Sequence, residues 1–219
     1  MKKSIAVIGI GRFGSQLVKT LSTLDVDVLT IDRSEDAIRG VQDYATKEAI
    51  ADSTKIDALR DLGLSNYNTA IVAIGGDIHA TIMTTINLVE LKVPDIIVRV
   101  DNDEYIPVMN KLGASRVIVP EESSAVSFAH QFVSSSFADY YDLQGDYGIV
   151  KMVIPHDYQT TLLVDLDLRN KFNINVVGII RFGKFFIPRG TDSIEPNDQL
   201  LLIGTHENLN NFSTYITGK

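Results

Sequence analysis

The sequence predicts an α/β protein: a Rossmann-like doubly wound parallel sheet followed by a small α+β C-terminal domain. Three observations carry that expectation. Residues 1–120 alternate short apolar runs with segments of helical apolar spacing, which is the rhythm of parallel βαβ units. The first run leads straight into Gly9-Ile10-Gly11-Arg12-Phe13-Gly14, a glycine pattern that belongs between a strand and a helix. From about Tyr140 the rhythm stops, and short strands separated by turns replace it.

The strands expected in the first domain are Ser4–Ile8, Val26–Ile31, Ala45–Ala51, Thr69–Ile74, Ile96–Val100 and Arg116–Val119. They are rich in Ile and Val with little polar alternation, as suits strands buried on both faces. The helices between them are Phe13–Leu24, Glu35–Val41, Lys55–Leu62, Ile78–Leu91 and Tyr105–Leu112. Six strands and five helices fit two mononucleotide-binding halves. After Pro120, Glu121–Ala138 reads as one longer helix anchored by Phe128, Phe132 and Phe137. Beyond it lie expected strands Gly148–Ile154, Asn175–Arg181, Lys184–Ile187 and Gln199–Gly204, with helical pieces at Leu166–Phe172 and His206–Tyr215. The domain boundary is placed after the long helix. This gives a nucleotide-binding domain 1–138, connecting helix included, and a ligand-binding domain 139–219 of the usual small size.

Composition is ordinary for a globular protein: 45% of the 219 residues are hydrophobic and 22% are charged. That length supports a sizeable core in one large domain or two small ones. Net charge is −8, from 20 basic and 28 acidic residues. A duplex-binding protein needs a basic face to neutralise phosphates, so no nucleic-acid partner is expected. With no cysteine, disulfides, thiolate metal sites and cysteine nucleophiles are excluded. Two N-terminal lysines and an apolar run start like a signal peptide, but only about five apolar residues precede Gly9, too few for that role. No stretch approaches the roughly 18 apolar residues of a membrane span. The chain is expected to be soluble and cytoplasmic, reaching a membrane only through a partner.

The glycine motif is the strongest chemical signal. Gly9 permits the tight turn, Gly11 lets the backbone approach a pyrophosphate, and Gly14 lets the helix pack close to the strand. Free N–H groups and the helix dipole then favour phosphate. Asp32 ends the second strand at about the spacing expected for a ribose-binding carboxylate, roughly 20 residues after the motif. Such a carboxylate repels a 2′-phosphate and disfavours NADP. Arg33 beside it offers a phosphate contact or a stacking surface for adenine. The alternative reading of Asp32 is a cap for the next helix. Asp52 and Ser53, after the third strand, either hydrogen-bond an adenine edge or simply start a helix. Ala73, Ile74 and Gly75, after the fourth, form an open floor or a plain turn. Arg12 points a cation toward the phosphate space, or is a solvated helix residue.

Acid–base chemistry has no clear carrier. A dehydrogenase needs a proton donor or acceptor beside the hydride. His79, His130, His156 and His206 show no pairing, and only His79 falls near the expected site. Tyr140–Tyr141 has no lysine four residues on, no GxSxG elbow exists, and Ser134–Ser136 have no local partner set. The expectation is a non-enzyme, with an NAD-dependent oxidoreductase as the competing reading and a free-standing nucleotide sensor as a third. Glu121 and Glu122 either hold a hard cation such as Mg²⁺ near phosphates or favour the dipole of the helix they open.

The whole chain resembles the cytoplasmic regulatory subunits of bacterial Ktr/Trk potassium uptake systems, the RCK family of proteins that regulate potassium conductance. The marks are AVIGIGRFG at 6–14, TIDRSED at 30–36, IADST at 50–54, TAIVAIGGD at 69–77, KLGASRVIVPEE at 111–122 and IEPNDQLLLIG at 194–204. The resemblance implies a non-enzymatic gating subunit, a homodimer assembling into an octameric ring beneath a KtrB/TrkH-like membrane potassium channel or transporter. It implies a site for ATP or ADP, or NAD(H) in some members. Arg12 would reach the γ-phosphate, Asp32 would hold the ribose, and Glu121 would bind a divalent cation at the dimer interface. It also implies a cyclic di-AMP site in the C-terminal domain. Arg169 would face a phosphate there and Asn175 would read an adenine edge, with Val176 and Pro188 packed on bases and Asp167 in the same stretch. The residue-level alternative is a β-domain with a surface arginine and turn asparagines.

Overall fold

The computed structural model describes residues 2–133, 137–143 and 145–218. The chain divides into two compact units, Met1–Glu121 and Glu122–Lys219.

The first unit holds β1 (Lys3–Ile8), β2 (Val26–Asp32), β3 (Lys47–Ile50), β4 (Thr69–Val72), β5 (Asp95–Arg99) and β6 (Arg116–Ile118) in one sheet, ordered β3-β2-β1-β4-β5-β6. All its pairings are parallel. This is the doubly wound order, and its switch point lies between β1 and β4. Side chains alternate across a strand, so β1 feeds two cores. Ala6 and Ile8 join Leu29, Ile31 and Val72. Over them lie α3 (Ile56–Asp61), α4 (Ile78–Glu90) and α5 (Ile106–Leu112), which contribute Leu59, Leu88 and Met109. Ile5 and Val7 join Val28 and Ile71 beneath α1 (Arg12–Leu21) and α2 (Glu35–Arg39), which contribute Val18, Leu21 and Ile38. Each Val, Leu, Ile or Met among these stabilises the fold by about 1.5–3 kcal/mol when fully buried. The two edge strands depart from the expectation of strands buried on both faces: Lys47, Glu48 and Ile50 of β3 are exposed, and in β6 Arg116 is exposed while Val117 and Ile118 are only partly buried.

The helix α6 (Pro120–Val133) starts on a proline, whose fixed φ suits a first turn. It was expected to reach Ala138, and the structure corrects this. Phe137 and Ala138 belong to a strand, β7 (Phe137–Asp142). The spacing of Phe128, Phe132 and Phe137 imitates a helical stripe, but Phe128 is 60% exposed while Phe137 is buried in the second unit's sheet. The serines at 134–136 lie outside the described residues.

The second unit is an antiparallel sheet of β7, β8 (Tyr147–Val153), β10 (Asn175–Arg181), β11 (Lys184–Phe186) and β13 (Gln199–Thr205), ordered β11-β10-β13-β8-β7. A further two-stranded ladder, β9 (Thr161–Leu162) with β12 (Ser193–Ile194), was not expected from sequence. Burial alternates strictly along β13, the mark of a sheet with one covered face. The helix α9 (His206–Thr217) covers that face with Leu209, Phe212 and Ile216. The helical piece expected at Leu166–Phe172 is two short helices, α7 (Leu163–Leu166) and α8 (Leu168–Phe172), broken at Asp167 with φ +48°.

One ion pair locks the turn before β13. Arg181 donates from Nε to Asp198 Oδ1 at 2.8 Å and from Nη2 to Oδ2 at 2.7 Å. Asp198 is 1% exposed, and its Oδ2 also accepts the Glu195 N–H at 2.8 Å. The two-pronged geometry is what makes a desolvated pair of this kind favourable.

Candidate functional site

A cleft opens at the carboxyl ends of β1 to β4, where ligands of open α/β sheets bind. It is lined by Gly9 and Gly11, by Asp32 and Arg33, by Asp52 and Ser53, and by Ala73, Ile74 and Gly75. Nine of the sequence-predicted residues thus meet at one place. Four from the glycine motif do not line it. Ile10 and Gly14 are buried, Phe13 packs into the α1–α2 core, and Arg12 is exposed in the first turn of α1. The cavity measures about 220 Å³, below the 300–1,000 Å³ of pockets that enclose a whole ligand. It suits a ligand held along one side.

The three glycines are required for different reasons. Gly9 has φ +94°, and a Cβ there would fall 2.7 Å from the Ile74 amide nitrogen. A Cβ on Gly14 would fall 2.0 Å from the Gly9 carbonyl oxygen. Those two are demanded by the fold. Gly11 is not: its φ of −74° and ψ of −163° suit any residue, and a Cβ there meets nothing within 4 Å. It caps α1, whose first-turn N–H groups have no intrahelical partner. The chain leaves that approach to the helix N-terminus bare without any internal need to do so.

Asp32 is already engaged. Its Oδ2 accepts the Ile10 N–H at 2.6 Å and its Oδ1 the Ser34 N–H at 2.8 Å. The carboxylate ties the glycine loop to the turn after β2 and keeps lone pairs for ribose hydroxyls. The cap of α2 is Ser34, not Asp32. Asp52 holds its own turn: Oδ1 accepts from the Thr54 N–H at 3.0 Å and the Thr54 hydroxyl at 2.6 Å. Those hydrogen bonds hold the Asp52 carboxyl below its ordinary pKa. Ser53 faces inward, with Oγ 2.8 Å from Thr84 Oγ1 of α4. Its carbonyl accepts from Asn87 Nδ2 at 3.1 Å.

Sequence reasoning missed the group behind the floor of the cleft. Arg99, at the end of β5, is 8% exposed. Its Nη2 lies 2.6 Å from Glu121 Oε1 and 2.8 Å from Asp101 Oδ1. The guanidinium sits 6.0 Å from the centroid of the Phe13 ring. Asp101 Oδ2 accepts the Gly76 N–H at 2.9 Å. Glu121, the expected metal ligand, is therefore paired with an arginine. Among the described residues no group of three or more His, Asp or Glu is arranged to hold a metal ion. His79 is exposed in the first turn of α4, and no described histidine lines the cleft. His206 instead bonds Tyr140 in the second unit, Nε2 to hydroxyl at 2.7 Å.

The second unit has its own shallow cavity of about 310 Å³ beside the break between α7 and α8. It gathers all five residues expected there: Asp167, Arg169, Asn175, Val176 and Pro188. Arg189, which sequence reasoning passed over, adds a second cation, and Val164 and Ile174 add apolar wall. Asp167 Oδ1 accepts from Asn170 Nδ2 at 2.7 Å, which steadies the left-handed turn.

Comparison with known proteins adds independent findings. Residues 5–120 match the TrkA-N domain and residues 161–217 the TrkA-C domain. The chain is 38% identical over 213 residues to Ktr system potassium uptake protein C of Bacillus subtilis (strain 168), covering 97% of this chain and 96% of that one. It is 33% identical to Ktr system potassium uptake protein A of the same organism, over 96% and 95% of the two chains. Among solved structures, the GsuK RCK domain superposes with a TM-score of 0.70 at 15% identity, covering all of this chain and 48% of that one. The GsuK channel bound to NAD gives 0.68 at 13% identity, covering 40% of that chain. The chain therefore spans half or less of the length of those two chains, and the likeness is one of fold.

Proposed function

The chain belongs to the TrkA-N/TrkA-C family of Ktr/Trk potassium uptake regulatory subunits, and from that premise we propose that it is a nucleotide-switched gating subunit of a membrane potassium channel or transporter. Gly11 carries the reading: an exposed glycine at a helix N-terminus, bare without internal need, fits a phosphate group seated there. Asp32 takes the ribose hydroxyls. The ligand is ATP or ADP, with NAD(H) as the related choice. An NAD-dependent oxidoreductase is the weaker reading: no described histidine, lysine or tyrosine lines the cleft, and its aspartates Asp32, Asp52 and Asp77 accept hydrogen bonds from their own loops and helix start.

Switching requires contacts that differ between ligands, since adenosine common to ATP and ADP cannot by itself select a state. Arg12, exposed beside the motif, is placed for a terminal phosphate, in its own chain or a second copy. Glu121 contributes to a divalent site only together with phosphate oxygens or a second chain, because among the described residues no group of three or more His, Asp or Glu is arranged to hold a metal ion. Homodimers assembled into an octameric ring at the inner face of the membrane would convey the change to the channel. No helix among the described residues is long and apolar enough to cross a membrane, so attachment would run through that partner. The cavity of the second unit would take cyclic di-AMP, with Arg169 on a phosphate, Asn175 on a base edge, and Val176 and Pro188 against the rings.

The test is a calorimetric titration of the purified protein with ATP, ADP, NADH and cyclic di-AMP, with and without Mg²⁺. Mutual competition of ATP and ADP, and independent binding of cyclic di-AMP that Arg169→Ala abolishes, supports both sites. NADH binding with no response to ATP or cyclic di-AMP overturns the gating assignment in favour of redox chemistry.

A further inference from the structure

Arg99 carries more than the proposed function uses. A buried guanidinium is costly unless its N–H groups are paired. Yet both of its ion pairs run through one nitrogen, Nη2. Its Nε is the one buried side-chain nitrogen or oxygen, among the described residues, without a hydrogen-bond partner. Nη1 lies behind the cleft floor, where a Cβ on Gly75 would fall 2.5 Å from it. Gly75 itself lines the cleft. It has no side chain, and Nη1 takes the space a Cβ there would fill, so this cation packs directly against the cleft floor. The partners on Nη2 are weakly committed: the Glu121 side chain is 61% exposed and that of Asp101 52%. Water can take over either carboxylate provided that another anion pairs with the buried guanidinium in its place.

From this juxtaposition we propose that Arg99 is a second anion receptor of the nucleotide cleft, held in reserve by Glu121. An anionic ligand group reaching the Gly75 floor pairs with the under-used side of the guanidinium and loosens Glu121 from Nη2. No bond is made or broken; one charge pair exchanges for another. Glu121 stands in the first turn of α6, so the exchange alters the start of the segment that leads into the second unit. The proposal rests on the reading of the cleft as a nucleotide site.

The experiment is calorimetric titration of the full chain in EDTA with ATP, ADP and adenosine, on wild type, Arg99→Met, Arg99→Lys and Glu121→Gln, each checked by thermal denaturation. The phosphate-dependent gain, the ratio of ATP to adenosine affinity, is the readout. Arg99→Met should cut that gain about tenfold or more, the size of one lost charge-assisted hydrogen bond, while adenosine binding is unchanged. Arg99→Lys should keep much of it. Glu121→Gln removes the competitor and should raise ATP and ADP affinity several-fold, a gain that no folding defect produces. If Arg99→Met does not fold, Glu121→Gln still decides. An unchanged ratio in Arg99→Met, or weaker ATP binding in Glu121→Gln, overturns the proposal and leaves the nucleotide reading standing. Equal binding of ATP and adenosine by the wild type overturns both.

Discussion

Replacing Gly11 by alanine separates what the fold needs from what a ligand needs. In the folded chain the new methyl meets nothing within 4 Å, and the backbone at φ −74° accepts it. Two small effects on stability oppose each other. Alanine restricts the unfolded chain, which stabilises by about 0.4–1 kcal/mol. Alanine is also a poorer N-cap than glycine, which costs up to about 1 kcal/mol. The net change should stay within about 1 kcal/mol, or roughly 4 °C in Tm for a chain of this size. Binding should respond very differently. A phosphate oxygen held about 2.9 Å from a first-turn N–H would collide with the methyl. Losing one such charge-assisted bond removes about 1.5–3 kcal/mol, a drop in ADP affinity of roughly 10- to 150-fold. Gly14→Ala is the contrast. Its methyl would fall 2.0 Å from the Gly9 carbonyl oxygen, and overpacking against backbone costs about 1–3 kcal/mol or more. The assay is paired thermal denaturation and ADP calorimetry on both variants. Wild-type ADP affinity in a folded Gly11→Ala protein would refute the placement of phosphate at this helix end.

Three further outcomes are expected. Arg12→Ala should reduce the preference for ATP over ADP in competition titrations while leaving ADP affinity largely intact; equal loss of both would remove Arg12 from the terminal phosphate. Asp198→Ala strips Arg181 of its two-pronged partner and should destabilise the second unit by about 3 kcal/mol or more, read as a lower urea midpoint. Burial, and then the nearby Asp142 carboxylate, push the Tyr140 hydroxyl up from 10.0 to about 12. Folding therefore disfavours its ionisation, and this contribution is complete below about pH 10 and lost as pH rises through about 12. Tyr140→Phe should flatten that part of the alkaline stability profile, and an unchanged slope would show that other tyrosines carry it.

Much of the first unit was legible because each signal was local. Ser4–Ile8 and the glycines that follow fix a strand, a turn and a helix within a dozen residues, and the switch point then places Asp32 and Gly75 at the same edge. Errors came where local signals coincide. Phe128, Phe132 and Phe137 have spacings that a helix can satisfy, and only the cross-strand neighbours Met152 and Val150 reveal Phe137 and Tyr140 as strand residues. The Arg99 group was invisible for another reason. Arg99, Asp101, Glu121 and Gly75 come from β5, the loops after β5 and β4, and the start of α6, and nothing in their spacing announces that they meet. Arg181 and Asp198 are likewise separated by a hairpin and a long turn. The five residues of the second cavity were found through family resemblance, and no periodicity pointed to them.

The double engagement of Asp32 changes what its presence means in any chain of this architecture. Because the carboxylate fastens the glycine loop through the Ile10 and Ser34 amides, it has structural work to do before any ligand arrives. A descendant that no longer handled nucleotides would still gain by keeping an acid there. It would have no such reason to keep Gly11, where an added methyl would be harmless to the folded chain. When two such proteins are set side by side, the acidic residue reports a shared scaffold, and the unneeded glycine reports a shared guest.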